Sequence, residues 1–240
     1  MDDKTSARID YALRAWLDVR NTQAETSLAS GRGQEGRRSA VTGGRHMDAI
    51  HQLVVDEIKA TGATGLRFSQ NRGATLPGFY RASKSWDLVL LQRDVPVLAV
   101  EYKSMLGSEG KNLNNRADEI FGMAEDTRQA EIRGLLPPQM RRAYIFVMAE
   151  NPENSKPVRV VETLGDSDPV FDGASYVQRM AIMLERMRDT GLFHMTWAVT
   201  VKEDPFSWSE PNKAVGWDRF AADLHSAFWT GTPRPDPTTP

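Results

Sequence analysis

A chain of 240 residues, 40% hydrophobic and 26% charged, has ordinary globular composition and enough length for one sizeable core. It contains no cysteine, which excludes disulfides, thiolate zinc sites and cysteine nucleophiles, and no apolar run near the ~20 residues that span a bilayer. The net charge of −2 argues against a nonspecific nucleic-acid binder, although the sum conceals basic stretches at 31–45 and 103–116. MDDKTSARID at the start has neither a basic nor an apolar signal region, so the expectation is a bacterial cytoplasmic protein with no membrane partner.

In chain order, Ser6 to Thr26 reads as a helix with Ile9, Leu13, Trp16 and Leu17 on one stripe. The glycine- and arginine-rich stretch Leu28 to Gly44 lacks the GK[ST] ending of a phosphate loop. It is either a flexible linker or an arm that closes on a DNA backbone, with Arg37, Arg38 and Arg45 as the candidate contacts. Arg45 to Thr61 is a second helix, turned inward through Met47, Ile50, Leu53, Val54 and Ile58. Its Asp48, Gln52 and Asp56 form another face, which is either solvated or near a metal site. His46 and His51 are five apart, the wrong spacing for two ligands on one helical face, and are read as ordinary. Leu66 to Arg72 is a strand, and Thr75 to Ser83 a loop turning at Pro77-Gly78.

Trp86 to Gln92 and Val95 to Tyr102 are apolar runs separated by Arg93-Asp94, the pattern of an antiparallel hairpin. With the turn centred on Asp94, Asp87 lies across from Glu101, and the period of two puts both carboxylates on one face with Lys103 just beyond. Mg²⁺ takes one or two carboxylates and fills its shell with water and phosphate oxygens. Asp87 and Glu101 could supply the carboxylates and the carbonyl of Tyr102 a third ligand, while Lys103 would orient or deprotonate a water and offset charge in the transition state. As a bare spacing this pattern is weak, and a hairpin with charges on a solvated face accounts for it equally well.

Asn112 to Arg116 opens a further helix, with Asn114 or Asn115 as N-cap and Ile120, Met123, Ala124, Thr127 and Ala130 as its apolar side. Gly134 and Pro137-Pro138 end it, and Ala143 to Ala149 is a fully apolar strand. Beyond lie a loop at Asn151 to Pro157, a strand at Val158 to Thr163, and a helix at Ser175 to Thr190 with Met180, Ile182, Met183, Leu184 and Met187 as core candidates. Phe193 to Val201 is a strand, and Asp218 to Trp229 a closing helix. The proline-rich tail 231–240 reads as disordered. The order helix, strand, strand, strand, helix, strand describes an α/β fold with one domain over 1–230 and a core at about 45–150.

Asp87 followed by Glu101-Tyr102-Lys103 resembles the PD-(D/E)xK nuclease signature, with Trp86 where the general pattern has proline. AVTGGRHMD at 40–48, LPGFYRASKSWD at 76–87 and EYKSMLGSEGKNLNNRADE at 101–119 resemble the XhoI-type type II restriction endonucleases, and GASYVQR at 173–179 does so more loosely. The resemblance implies an αβββαβ core with a mixed sheet flanked by helices and N- and C-terminal additions. It also implies Asp87, Glu101 and Lys103 as catalytic residues, Mg²⁺ as cofactor, double-strand cleavage of DNA at the palindrome CTCGAG, and a companion DNA methyltransferase that protects the host. A palindrome is read most economically by a C2 homodimer. Lys111, Asn112, Asn114, Asn115 and Arg116, of types that read bases, should lie against the DNA near the cut. Alanine at Asp87, Glu101 or Lys103 should in each case lower cleavage by orders of magnitude and leave the fold intact. The same core in a repair or junction-resolving nuclease, or a DNA-binding protein without catalysis, are the alternatives.

Overall fold

Hydrophobic side chains alternating in and out along the strands require cover on both faces of a sheet, and the helices supply it. The computed structural model describes residues 1–29, 45–107, 109–161 and 163–228. Its elements are α1 (Asp3–Ala29), α2 (Asp48–Ala60), β1 (Leu66–Ser69), β2 (Thr75–Pro77), β3 (Ser83–Ser85), β4 (Leu88–Gln92), β5 (Val95–Met105) and α3 (Glu109–Ile132). There follow β6 (Arg141–Ala149), α4 (Pro152–Ser155), α5 (Tyr176–Asp189), β7 (Met195–Lys202), β8 (Ser207–Ser209) and α6 (Trp217–Ala227).

Six strands form one mixed sheet in the order β1-β4-β5-β6-β7-β8. β1, β4 and β5 are antiparallel neighbours, β5, β6 and β7 run parallel, and β8 returns antiparallel to β7. Leu88, Leu90, Leu98, Val100, Tyr102, Ile145 and Trp197 face a core made with α1, α2 and α6. Val89, Ala99, Met105, Tyr144, Phe146 and Ala198 face the opposite core, made with α3, α5 and the small β2–β3 hairpin. The helical stripes expected at Ile9, Leu13, Trp16 and Leu17 and at Ile120, Met123, Ala124, Thr127 and Ala130 are all buried. This is the anticipated α/β core, a mixed sheet flanked by helices, with α1 before it and α4 to α6, β7 and β8 after it.

Local expectations fail in five places. The segment 75–83 is not a plain loop: Thr75, Leu76 and Pro77 pair with Ser85, Lys84 and Ser83. β1 stops at Ser69, because Asn71 takes a left-handed φ of 53° and starts a short 3-10 turn. A four-residue helix, α4, sits inside the loop expected at 151–157, closed by a capping box between Asn151 and Asn154. No strand forms at Val158–Val161. α3 begins at Glu109, so Asn112, Asn114 and Asn115 lie inside its first two turns instead of capping it. Asparagine is a poor helix former, but burial of Leu113 on this turn outweighs that preference. The tail 231–240 and the arm with Arg37 and Arg38 lie outside the described residues, as do the side chains of Arg45 and Lys111.

Candidate active site

The β4–β5 hairpin turns through Arg93 and Asp94, both at positive φ (50° and 65°), the backbone of a two-residue turn that matches strand twist. Gln92 pairs with Val95 and Leu91 with Pro96, but from Leu90 onward the register shifts to Leu90 with Leu98 and Leu88 with Val100. The shift falls at Pro96-Val97, where proline lacks the N–H a regular ladder would use. Carried one residue further, the shifted register sets Asp87 opposite Glu101. A straight two-residue hairpin would have set Asp87 opposite Val100 and placed the two acids on opposite faces.

Asp87 Oδ2 accepts the Tyr102 N–H at 2.7 Å. In an extended strand the N–H and C=O of one residue point the same way, so the Tyr102 carbonyl also points toward Asp87, beyond the start of β4 at Leu88. Glu101, 3% exposed, takes an ammonium on each oxygen: Lys103 Nζ at 2.6 Å from Oε1 and Lys84 Nζ at 2.9 Å from Oε2. Lys103 also lies 3.4 Å from Glu119 Oε1, and Glu119 holds Arg116. Asp87, Glu101, Lys103, Lys84, Glu119 and Arg116 thus form one cluster of alternating charge on the α3 side of the sheet.

Burial raises the pKa of Asp87, the charge of Glu101 adds to the rise, and the Tyr102 N–H opposes both. Burial works against the Lys103 ammonium, yet Glu101 beside it, with Glu119 and Asp87 further away, holds its pKa above that of a free lysine. Desolvation would raise Glu119, but Lys103 and Arg116 keep it low. Tyr144, paired with Glu101 across β5 and β6, is fully buried, and its hydroxyl has no hydrogen-bond partner among the described residues. Burial pushes its pKa far up, and the charge of Glu101 pushes the same way.

Two carboxylates on one face, with a carbonyl beside them, suit a hard divalent cation that keeps several waters. Among the described residues no group of three or more His, Asp or Glu gathers as a closed metal cage. A cation here would be held by Asp87, Glu101, the Tyr102 carbonyl and water, open to a phosphate.

Of the residues singled out from sequence, Asp87, Glu101, Tyr102 and Lys103 come together. Arg116 joins them through Glu119, which also contacts Lys103. Asn114 and Asn115 are exposed on α3, and Asn112 donates to the Gly107 carbonyl at 3.0 Å. Asp48, Gln52 and Asp56 are exposed on α2, on the other side of the sheet from Glu101, which makes theirs a solvated face. The two histidines of that region grip β5 from behind. His46 Nε2 is 3.0 Å from Ser104 Oγ, and His51 meets the Tyr102 ring edge-on with centroids 5.6 Å apart. Lys84, Glu119 and Tyr144 were not foreseen. Lys84 stood three residues before Asp87, but a lysine on a strand too short to show a period carries no signal of its partner. An open concavity of about 370 Å³, lined by Arg141, Arg188, His194 and Arg219 among others, lies where β6 and β7 begin and includes none of the cluster.

The family described as restriction endonuclease XhoI matches residues 26–206. The type II restriction enzyme BstVI of Geobacillus stearothermophilus is 31% identical over 169 residues, 66% of this chain and 74% of that protein. The type II restriction enzyme XhoI of Xanthomonas vasicola is 35% identical over 163 residues, 65% of each chain. The type II restriction enzyme AbrI of Azospirillum brasilense is 34% identical over 149 residues, 60% of this chain and 67% of that one. No solved structure matches the chain.

Proposed function

Since the chain belongs to the XhoI family of restriction endonucleases, we propose that it is a Mg²⁺-dependent type II enzyme that cuts both strands of DNA at the palindrome CTCGAG. The observation that carries this reading is the placement of Asp87 and Glu101 on one sheet face with Lys103 bonded to Glu101 and the Tyr102 carbonyl alongside. The palindrome itself comes from the family resemblance.

Bound at Asp87, Glu101 and the Tyr102 carbonyl, the cation would supply a polarised phosphoryl oxygen and an activated water. Asp87 is oriented for that task by the Tyr102 N–H, which fixes Oδ2. Glu101 is held on both oxygens, so its carboxylate keeps one rotamer before any substrate arrives. Lys103, tethered between Glu101 and Glu119, presents its ammonium to the scissile phosphate and offsets the charge that builds on the pentavalent centre. Asn114 and Asn115, exposed on the first turns of α3, stand where the strand that carries the chemistry meets the helix and are the first candidates for contact with bases. A second copy related by a two-fold axis would bring an identical site to the other strand, and a host would need a methyltransferase acting on the same palindrome.

The test is digestion of a plasmid of known sequence in Mg²⁺. Discrete fragments with ends mapping to CTCGAG, lost in Asp87→Asn, are the expected result. Smearing, cutting only at branched structures, or undiminished cutting by the variant would each overturn the reading.

A further inference from the structure

The tip of the β2–β3 hairpin is fastened to the body by one buried side chain. Asp126 on α3 is 2% exposed, and what gathers on it comes from the hairpin tip. Oδ1 accepts the Phe79 N–H at 2.9 Å and the Tyr80 N–H at 2.7 Å, and Arg81 Nε lies 2.9 Å from Oδ2. A buried carboxylate is tolerated only when its lone pairs are filled, so Asp126 and the tip fix one another. Gly78 permits the approach, since a Cβ there would stand 2.6 Å from Asp126 Oδ2 and 2.7 Å from the Arg81 carbonyl oxygen.

The tip so fixed turns its large side chains outward. Phe79 is 38% and Tyr80 67% exposed, their rings edge-on with centroids 4.9 Å apart. The ion pair leaves 44% of the Arg81 side chain accessible, and the Arg133 guanidinium lies 5.3 Å from the Phe79 ring centre. The segment 75–85 has Arg81 and Lys84 and no acidic residue. Its other end enters the catalytic cluster through Lys84 on Glu101. Lys84 and the tip are three to four residues apart, so at about 3.3 Å per residue the tip stands on the order of 10 Å from the site, comparable with a major groove ~12 Å wide.

We propose that the β2–β3 hairpin is a further DNA-contacting element, with Tyr80 and Arg81 entering a groove of the duplex beside the cut and Asp126 as the residue that positions them. The proposal rests on the endonuclease reading and adds a recognition surface to it. Double-stranded DNA fits this surface because the Arg81 side chain, still 44% accessible beside its pairing with Asp126, can reach a phosphate while a projecting aromatic meets sugars or bases. The surface is also continuous with the site where a phosphate must lie.

The experiment uses the full chain in Ca²⁺, with anisotropy of a labelled CTCGAG duplex and of a scrambled duplex. It compares wild type with Tyr80→Ala and Asp126→Asn, and places p-benzoylphenylalanine at Tyr80 for photocrosslinking. Expected are a loss of roughly tenfold in cognate affinity for Tyr80→Ala at unchanged melting temperature, the size that removal of one aromatic stacking partner produces, a loss in the same direction for Asp126→Asn, and a crosslink from position 80 to DNA. Wild type that binds and cuts CTCGAG while Tyr80→Ala binds within about twofold and no crosslink forms would overturn the hairpin assignment alone. Wild type that binds neither duplex would overturn the endonuclease reading and the hairpin together.

Discussion

At 3% exposure, with lysine ammoniums at 2.6 and 2.9 Å, Glu101 is a buried charge balanced by two others. The expectation that its removal would leave the fold intact does not survive this geometry. Glu101→Ala takes the carboxylate from Lys84 and leaves Lys103 only Glu119 at 3.4 Å, and breaking a buried pair costs about 3 to 5 kcal/mol, so urea unfolding should show a large loss alongside the loss of cleavage. Asp87 keeps access to solvent although neighbouring groups partly desolvate its carboxyl and raise its pKa, and Asp87→Asn should abolish cleavage at nearly unchanged stability, which makes it the cleaner probe of chemistry. His194 offers a test of a different kind, remote from the site. Its Nδ1 accepts the Arg142 N–H at 3.0 Å, and burial together with Arg142 and Arg141 depresses its pKa from 6.5 to about 4. Between those values the unfolded chain binds the extra proton and the folded chain does not, so stability present above pH 6.5 is lost as pH falls toward 4. The full effect is on the order of 2 to 3 kcal/mol. Urea midpoints across that window should fall in the wild type and fall less in His194→Asn, whose amide oxygen can accept the same N–H without titrating.

The hairpin of β4 and β5 was legible in the sequence because apolar runs and a polar link are strong signals, and the facing of Asp87 and Glu101 followed from a turn centred on Asp94. The structure reaches the same facing by another route, a turn at Arg93-Asp94 followed by a bulge beside Pro96. Where the tip of a short element is held by one distant side chain, as that of β2–β3 is by Asp126, nothing in its own residues announces it. The asparagines of α3 misled for a related reason, since capping preference is local and the burial of Leu113 is not. The turn itself is open to improvement. Arg93 and Asp94 hold left-handed backbone that Asn-Gly adopts more readily, and the ion pair of Asp94 with Arg67 is exposed and adds little stability. The double substitution Arg93→Asn, Asp94→Gly should raise stability by about 1 kcal/mol, read as a higher melting temperature; a lower one would mean that the turn is not what limits this hairpin.

Over the whole molecule the sheet divides the chain into a side with Glu101, Lys103, α3 and the β2–β3 hairpin and a side with α1, α2 and α6. The palindrome proposed as substrate would ask for two copies of the first side facing one duplex, so light scattering should give twice the 26.8 kDa of one chain, free or on DNA. A particle that stays at one chain on its cognate duplex would contradict this. On β5 the two sides meet at the candidate site. Ser104 and Tyr102, which alternate with Lys103 and Glu101 along β5, meet His46 and His51 on the far side. The strand's pleat therefore works as a lever with its fulcrum in the sheet: loosening the rear anchors lets the front residues drift while the ladder to β6 stays whole. Substitutions at His46 or His51, which lie behind the sheet face that carries Asp87, Glu101 and Lys103, would then surface as slower turnover in a protein of nearly normal stability, a class of variant that screens for folding would pass and screens for activity would reject.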